Sequence, residues 1–374
     1  MQRFLKPSHR LCVMKLKNIF SLLVTLLVFN SFNAFSNEPD TLHMADSTHA
    51  EELSLKEKIK QDIDHHLEDV HDFHLFSDEA AGKHYGFPLP VIIWDDGLHV
   101  FMSSKFHHGE SVAESNGNYY ALYHNKIYRT DAAGAMAFDG DHHPTNVKPL
   151  DLSITKNVFS IMMASLILFL MFRSLGNSYK TNRVPKGIGK FLEPLVIFVR
   201  DEIAIPNIGK KHYEKYMSYL LTVFFFIWLI NLLGLTPLGI NVTGNIAVTF
   251  ALSLMTFLIT QLTSKKYYWK HIFWMPGVPA PMKVILAPIE LLGVLIKPFA
   301  LMIRLYANIK AGHIVIMSLI GLLFVFNNWF ARGAFFGLTL FLSVLELLVA
   351  ALQAYIFTML TALYFGSAVE EDHH

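Results

Sequence analysis

The chain has 374 residues, 53% of them hydrophobic and only 16% charged, a balance that excludes an ordinary soluble globular domain and fits a polytopic membrane protein. The 31 basic and 30 acidic side chains nearly cancel, so no basic excess points to nucleic acid. The single cysteine, Cys12, excludes an intrachain disulfide.

Residues 1–36 read as a secretory signal peptide. Arg3, Lys6, Arg10, Lys15 and Lys17 give a basic start, Ile19 to Phe29 an apolar core, and Ala34-Phe35-Ser36 a small-residue stretch before a cut near Asn37. Met14 is an alternative start that leaves the signal complete. An uncleaved first membrane helix is the other reading, for which the apolar core is short.

Residues 37–150 then form an exported extension, predicted to be a small α+β cap. Glu51 to about Leu75 has a charged, helical pattern carrying His65, His66, His71 and His74. Metal binding is conceivable from their spacing, but the lack of cysteine and the many neighbouring acids favour a solvated histidine-rich face. Leu89 to Met102 predicts a hairpin, apolar β-formers flanking an Asp96-Gly97 turn. Asn118 to Arg129 predicts a second hairpin about His124-Asn125. Gly140 to Pro149 reads as a polar linker.

Residues 151–374 predict an all-α polytopic membrane domain with five spans. These are Asn157–Phe172, Tyr216–Leu235, Asn241–Thr263, a fourth from about Val284 to Phe326, and a fifth from Gly333 to Ala368. The last two exceed the roughly 20 residues a crossing needs, so they must tilt strongly, bend, or lie partly along the membrane. Arg173, Lys180, Arg183, Lys186 and Lys190 after the first span, and Lys265, Lys266, Lys270 and Lys283 after the third, place those loops in the cytoplasm. The uncharged turn at Thr236–Ile240 then lies outside and the C-terminal tail inside, in agreement with an exported N-terminus.

The apolar fourth span contains Arg304, and an arginine at membrane depth is costly enough to mark a functional site. A snorkelling anchor or an arginine paired with a buried acid is the plainer alternative. At about 100° per residue, Glu290, Lys297, Arg304 and Asn308 share one side of this helix and His313 lies opposite. Glu346 and Gln353 share a face of the fifth span. If the two helices form an antiparallel hairpin turning at Asn327-Asn328-Trp329, one register sets Arg304 opposite Gln353 and His313 opposite Glu346. Arginine keeps its charge at any accessible pH and cannot shuttle protons, whereas histidine and glutamate can titrate. The set predicts an ion path around one permanent charge, with no nucleophile, phosphate loop or cofactor site.

At these residues the sequence resembles the a subunit of the F-type ATP synthase membrane sector. The resemblance rests on Glu290-x6-Lys297-Pro298-x5-Arg304-Leu305-x2-Asn308-x3-Gly312 with Gln353 in the last helix, and on Asn231-Leu-Leu-Gly-Leu-Thr-Pro237 followed by Asn241-Val-Thr-Gly-Asn-Ile-Ala247. It covers roughly residues 150–370. It implies a proton-translocating stator subunit with no catalytic site of its own, in a bacterial inner membrane. Arg304 would face a rotating c-subunit ring, with Gln353 its neighbour and Asn308 lining the path. Glu290, His313 and Glu346 would belong to two aqueous half-channels. The implied partners are the c-ring, the b-subunit peripheral stalk, the remaining synthase subunits and membrane lipid. In many bacterial relatives the acid and the histidine of this pair are exchanged, an exchange that keeps the pair intact. The long exported front part departs from the compact bacterial pattern. A secondary ion transporter or channel with an intramembrane Arg/His/Glu site is the alternative, though such folds often show internal repeats and none is evident here. A membrane anchor carrying an exported binding cap would leave Arg304 unexplained.

Overall fold

The stretch beginning at Asp72, expected to end a helix, is instead a strand. In the computed structural model, which describes residues 68–78, 83–109, 111–140, 143–181, 187–236, 240–274, 278–325 and 328–370, β1 (Asp72–Asp78) pairs antiparallel with β2 (Lys83–Pro88). The reason is local: Phe73 stacks on Phe87 with centroids 4.9 Å apart, and both rings meet Phe159 of the first membrane helix edge-on. The predicted signal peptide, His65, His66 and the tail 371–374 lie outside the described residues.

Both predicted hairpins form. β3 (Pro90–Trp94) and β4 (Leu98–Met102) flank a turn in which Asp96 and Gly97 take φ of 53° and 141°. β5 (Ala113–Ser115), β6 (Asn118–Tyr123) and β7 (Lys126–Thr130) make a separate three-stranded sheet. Its tip, His124-Asn125, has φ of 46° and 57°, the two positive values that a tight I′ hairpin turn requires. A 3-10 turn (Ser103–Gly109) joins β4 to β5. Val91, Ile93, Phe101, Phe106, Tyr120 and Ile127 close the cap's core.

The stretch expected to be a polar linker is laid against the cap. The Asn146 amide donates to the carbonyls of Arg129 (3.0 Å) and Ala135 (3.2 Å) and accepts from the Ala137 N–H (2.7 Å). β8 (Leu150–Asp151) then joins β3 and leads into the first membrane helix, α1 (Lys156–Thr181). Asp69 caps that helix, accepting from the Asn157 N–H and the Thr155 hydroxyl, both at 3.1 Å. His71 is not on a solvated face: it is 5% exposed, with Nε2 2.9 Å from Asp151 Oδ2. His74 sits in β1, opposite Gly86.

Beyond α1 come elements that the basic loop at 173–215 did not reveal. These are α2 (Gly189–Phe198), a π turn (Val199–Ala204) and α3 (Ile205–Ile208), whose Leu192, Val199, Ile203 and Ile208 are buried. α4 (Tyr213–Gly234) and α5 (Ile246–Thr263) are the second and third spans. α5 starts later than expected because Asn245 caps it, accepting from the Ala247 N–H at 2.9 Å. A short α6 (Lys266–Phe273) precedes α7 (Ala280–Val325) and α8 (Trp329–Val369), of 46 and 41 residues. Among the described residues, five helices are thus long and apolar enough to cross a membrane. Asn328 caps α8 at the predicted turn, accepting from the Phe330 N–H at 3.0 Å.

α8 packs along α4, where Tyr216 and Phe365 stack at 4.5 Å, and against α3. Gly366 is required there, since a Cβ would stand 1.9 Å from the Asn207 carbonyl oxygen. Gly366→Ala should therefore cost about 1–3 kcal/mol and lower the melting temperature in detergent. Gly337→Ala, on an open part of α8, should leave it unchanged.

The cap junction carries a pH dependence of two signs. Burial pushes the Asp69 carboxyl up despite its hydrogen bonds from Asn157 and Thr155. Burial also works to raise Asp151, but the His71 bond and charge and the Ser153 hydrogen bonds outweigh it and hold Asp151 below the ordinary 3.8. A depressed carboxylate contributes stability that is present above its unfolded value and lost as pH falls through the folded one. A raised carboxylate opposes folding once pH climbs above its unfolded value. Amide exchange across β3 and β8 in the full chain should therefore quicken as pH drops below 3.8, and Asp151→Asn should flatten that acid limb. Asp69→Asn should flatten the limb above it.

Candidate functional site

α7 and α8 form one antiparallel pair, and their polar side chains fix its register. His313 Nδ1 lies 3.0 Å from Glu346 Oε1, the pairing expected from the hairpin. The Asn308 amide donates to Gln353 Oε1 at 3.0 Å, and Lys297 Nζ stands 5.5 Å from the centroid of the Tyr364 ring. All three contacts obey one register to within two residues. Arg304 and Gln353, which the predicted register set opposite one another, share no hydrogen bond among the described residues. In this register the partner of Gln353 is Asn308, one turn beyond Arg304, and Gln353 is 2% exposed.

Arg304 instead lies exposed on α7 together with Ala307 and Asn308. Among the described residues it has no hydrogen bond or ion pair to a carboxylate. His313 is turned the other way, inward, with Nε2 3.2 Å from the carbonyl oxygen of Gly234 at the end of α4. The separation of Arg304 and His313 around the helix is therefore real. One faces outward, and the other faces α4 and α8.

Two glycines permit the close approach. A Cβ on Gly312 would stand 2.7 Å from Glu346 Oε1, and one on Gly234 would stand 2.9 Å from the Ile240 carbonyl oxygen and 3.3 Å from His313 Nε2. Beside them lies a buried polar group on the α4–α5 connection. Thr243 donates to Asn231 Oδ1 at 2.8 Å, while Asn231 Nδ2 and Asn241 Oδ1 have no protein partner among the described residues.

Glu290 is not brought to these groups. It is half-buried on α7, fourteen residues and so about 21 Å of helix from Arg304. Between them lies a narrow cleft of about 10 Å³ among α5, α6, α7 and α8, lined by Ser253, Thr256, Thr260, Gln261, Tyr268 and Lys297. The α5 part of this lining escaped the sequence reading. Its signal was present, since Thr249, Ser253, Thr256 and Thr260 recur on one helical face of an otherwise apolar span.

The polar groups of the membrane part thus fall into two zones on either side of Arg304. One is His313–Glu346 with its Asn231/Asn241 neighbours, and the other is the cleft, with Glu290 one turn of α7 beyond its lining residue Val294. The described residues hold no cluster of three or more His, Cys, Asp or Glu side chains that would bind a metal.

A helical membrane unit organised in this way is matched by known families. The family model of the ATP synthase A chain matches residues 158–366, and that of a domain of unknown function (DUF8433) matches residues 62–152. The chain is 38% identical over 317 residues to ATP synthase subunit a 2 of Prosthecochloris aestuarii, covering 80% of this chain and 97% of the relative. It is 45% identical over 230 residues to ATP synthase subunit a of Chloroherpeton thalassium, covering 60% and 69%. It is 46% identical over 231 residues to the Myxococcus xanthus subunit a, covering 60% and 76%. The chain belongs to the ATP synthase A chain family, the multi-pass membrane-sector (Fo) subunit of the F-type, H+-transporting ATP synthase. Membership in that family, rather than in a transporter or anchor family, decides between the readings that the sequence left open.

The pairing across the hairpin is directly testable. In a chain lacking Cys12, His313→Cys combined with Glu346→Cys should form a disulfide under mild oxidation, because such bonds require Cα atoms within about 7 Å. Arg304→Cys with Gln353→Cys should cross-link less. Gly312→Ala should displace the Glu346 carboxylate and cut ATP-driven proton pumping in vesicles by about tenfold or more.

Proposed function

We propose that this subunit forms two aqueous half-channels beside a rotating ring of c subunits and couples proton flow to its rotation, held against it by a b-subunit peripheral stalk. The observation that carries this reading is the outward-facing Arg304, flanked along α7 by two polar zones that are separate from one another. Arg304, Asn308 and Gln353 stand at the crossing point. His313 and Glu346 serve the zone nearer the α4–α5 turn, and Glu290 serves the other.

Loop charges assign the sides. The basic segments after α1 and α5 place α6 and Glu290 toward the cytoplasm. The zone of His313 and Glu346 then opens outward, beneath the exported extension, and the C-terminus is cytoplasmic. Residues 1–36 are removed as a signal, residues 37–150 form the exported unit and residues 151–374 the membrane unit.

Protons arriving from outside load a c-subunit carboxylate, which can cross lipid only while neutral. After rotation the carboxylate reaches Arg304, whose permanent charge stabilises the ionised form and drives release into the cleft beside Glu290. The same charge repels a proton moving directly from one zone to the other. The exported extension takes no part in this path.

Arg304→Ala should abolish ATP-driven proton pumping in vesicles carrying the assembled complex, and Arg304→Lys should also largely fail, since an ammonium does not reproduce the planar fork. Normal pumping by Arg304→Ala would overturn the assignment.

A further inference from the structure

His313 has two ring nitrogens, and both are engaged: Nδ1 by Glu346 Oε1 at 3.0 Å and Nε2 by the Gly234 carbonyl oxygen at 3.2 Å. The two partners differ in kind. A carbonyl oxygen only accepts, so Nε2 must carry a proton and donate it. Gly234 lies in the last turn of α4, where backbone carbonyls have no partner within the helix and where the negative end of the helix dipole lies. The imidazole N–H satisfies one of these carbonyls. Once Nε2 is committed as a donor, a single proton lies on the line between Nδ1 and Oε1. The pair is either imidazolium and carboxylate or imidazole and carboxylic acid, with the same atoms and the same net charge.

We infer that His313 is a one-ended proton holder, fixed by the Gly234 backbone, and that protons enter and leave the pair only through Glu346. This rests on the pair lying on the proton path proposed above. An imidazole that passes a proton through takes it on one nitrogen and gives it up from the other, to an acceptor that can become protonated. At Nε2 the partner is a peptide carbonyl, which does not take up a proton in this pH range, so that end is closed. Glu346 Oε2 has no protein hydrogen-bond partner among the described residues. Uptake forms an O–H bond at Oε2 as an O–H bond of hydronium breaks, leaving imidazolium beside carboxylic acid. Release breaks that O–H bond and returns the proton to water. Gly234 is then a positioning residue. Any side chain there would meet the Ile240 carbonyl oxygen at 2.9 Å and the His313 ring at 3.3 Å.

The test uses the assembled complex in vesicles. Nitrogen NMR of 15N-histidine-labelled subunit, with the His313 signal assigned by its loss in His313→Ala, should show Nε2 protonated from about pH 5 to about pH 9, across the range in which a free imidazole changes charge. A neutral ring with a bare Nε2 and its proton on Nδ1 would overturn the inference.

Pumping supplies a second readout. His313→Gln, which can still donate to Gly234 but does not titrate, should keep about a tenth or more of the wild-type rate, whereas Glu346→Gln should lose about a hundredfold. Equal losses in the two variants, with Arg304→Ala inactive in the same preparation, would overturn the one-ended role and leave the path intact. Active pumping by Arg304→Ala would overturn the path itself.

Discussion

A permanent positive charge at membrane depth sets the terms for the rest of this structure. Arg304 cannot shed its proton, and in a low-dielectric surrounding it is tolerated only where a counter-charge or water reaches it. Among the described residues no carboxylate pairs with it. Glu346, the acid buried in α8, is turned away and engaged by His313, and Glu290 stands three to four helical turns off. One turn further along α7, Asn308 is bonded to Gln353, which is neutral. Arg304 is left presenting its charge outward, and an external carboxylate is what that arrangement suits.

Holding those side chains in place requires two very long helices in one register. Polar pairs at three levels, Lys297 over Tyr364, Asn308 on Gln353 and His313 on Glu346, pin the hairpin along its length. Small residues make the approach possible at Gly312, Gly234 and Gly366. The apolar remainder of α7 and α8 is largely exposed, including Ile296, Ile303, Val344 and Leu348, as expected of helices that meet lipid or partner subunits. The cap is joined to this unit by more than a tether, since Asp69 caps α1 and Phe73 and Phe87 pack on Phe159.

Much of this was legible because hydropathy and charge are strong signals. The five spans, both cap hairpins, the turn capped by Asn328 and the His313–Glu346 pairing all follow from pattern and spacing. The hydrogen bond of Gln353 goes to Asn308, one turn beyond Arg304, because counting residues gives a register only to within a turn. The reach of an arginine side chain, and its turning outward, are decided by packing. The end of the helix expected through Leu75 is a strand from Asp72 onward because tertiary contact between Phe73, Phe87 and Phe159 outweighed local charge patterning. α2 and α3 went unseen because a basic stretch reads as loop while its buried Leu192, Val199 and Ile203 are spread too thinly to register as a span. The hydroxyl stripe on α5 was overlooked because threonine and serine scarcely lower the hydropathy of a span.

The central claim is that the face of α7 bearing Arg304 meets the c-ring. It is tested most directly by placing one cysteine at Ala307, exposed on that face, in a chain lacking Cys12, and one cysteine in turn along the outer helix of the c subunit. The account predicts disulfides from Ala307→Cys to positions around the c-subunit carboxylate, and none from Met162→Cys, exposed on α1. Cross-links from α1 with none from Ala307 would contradict it.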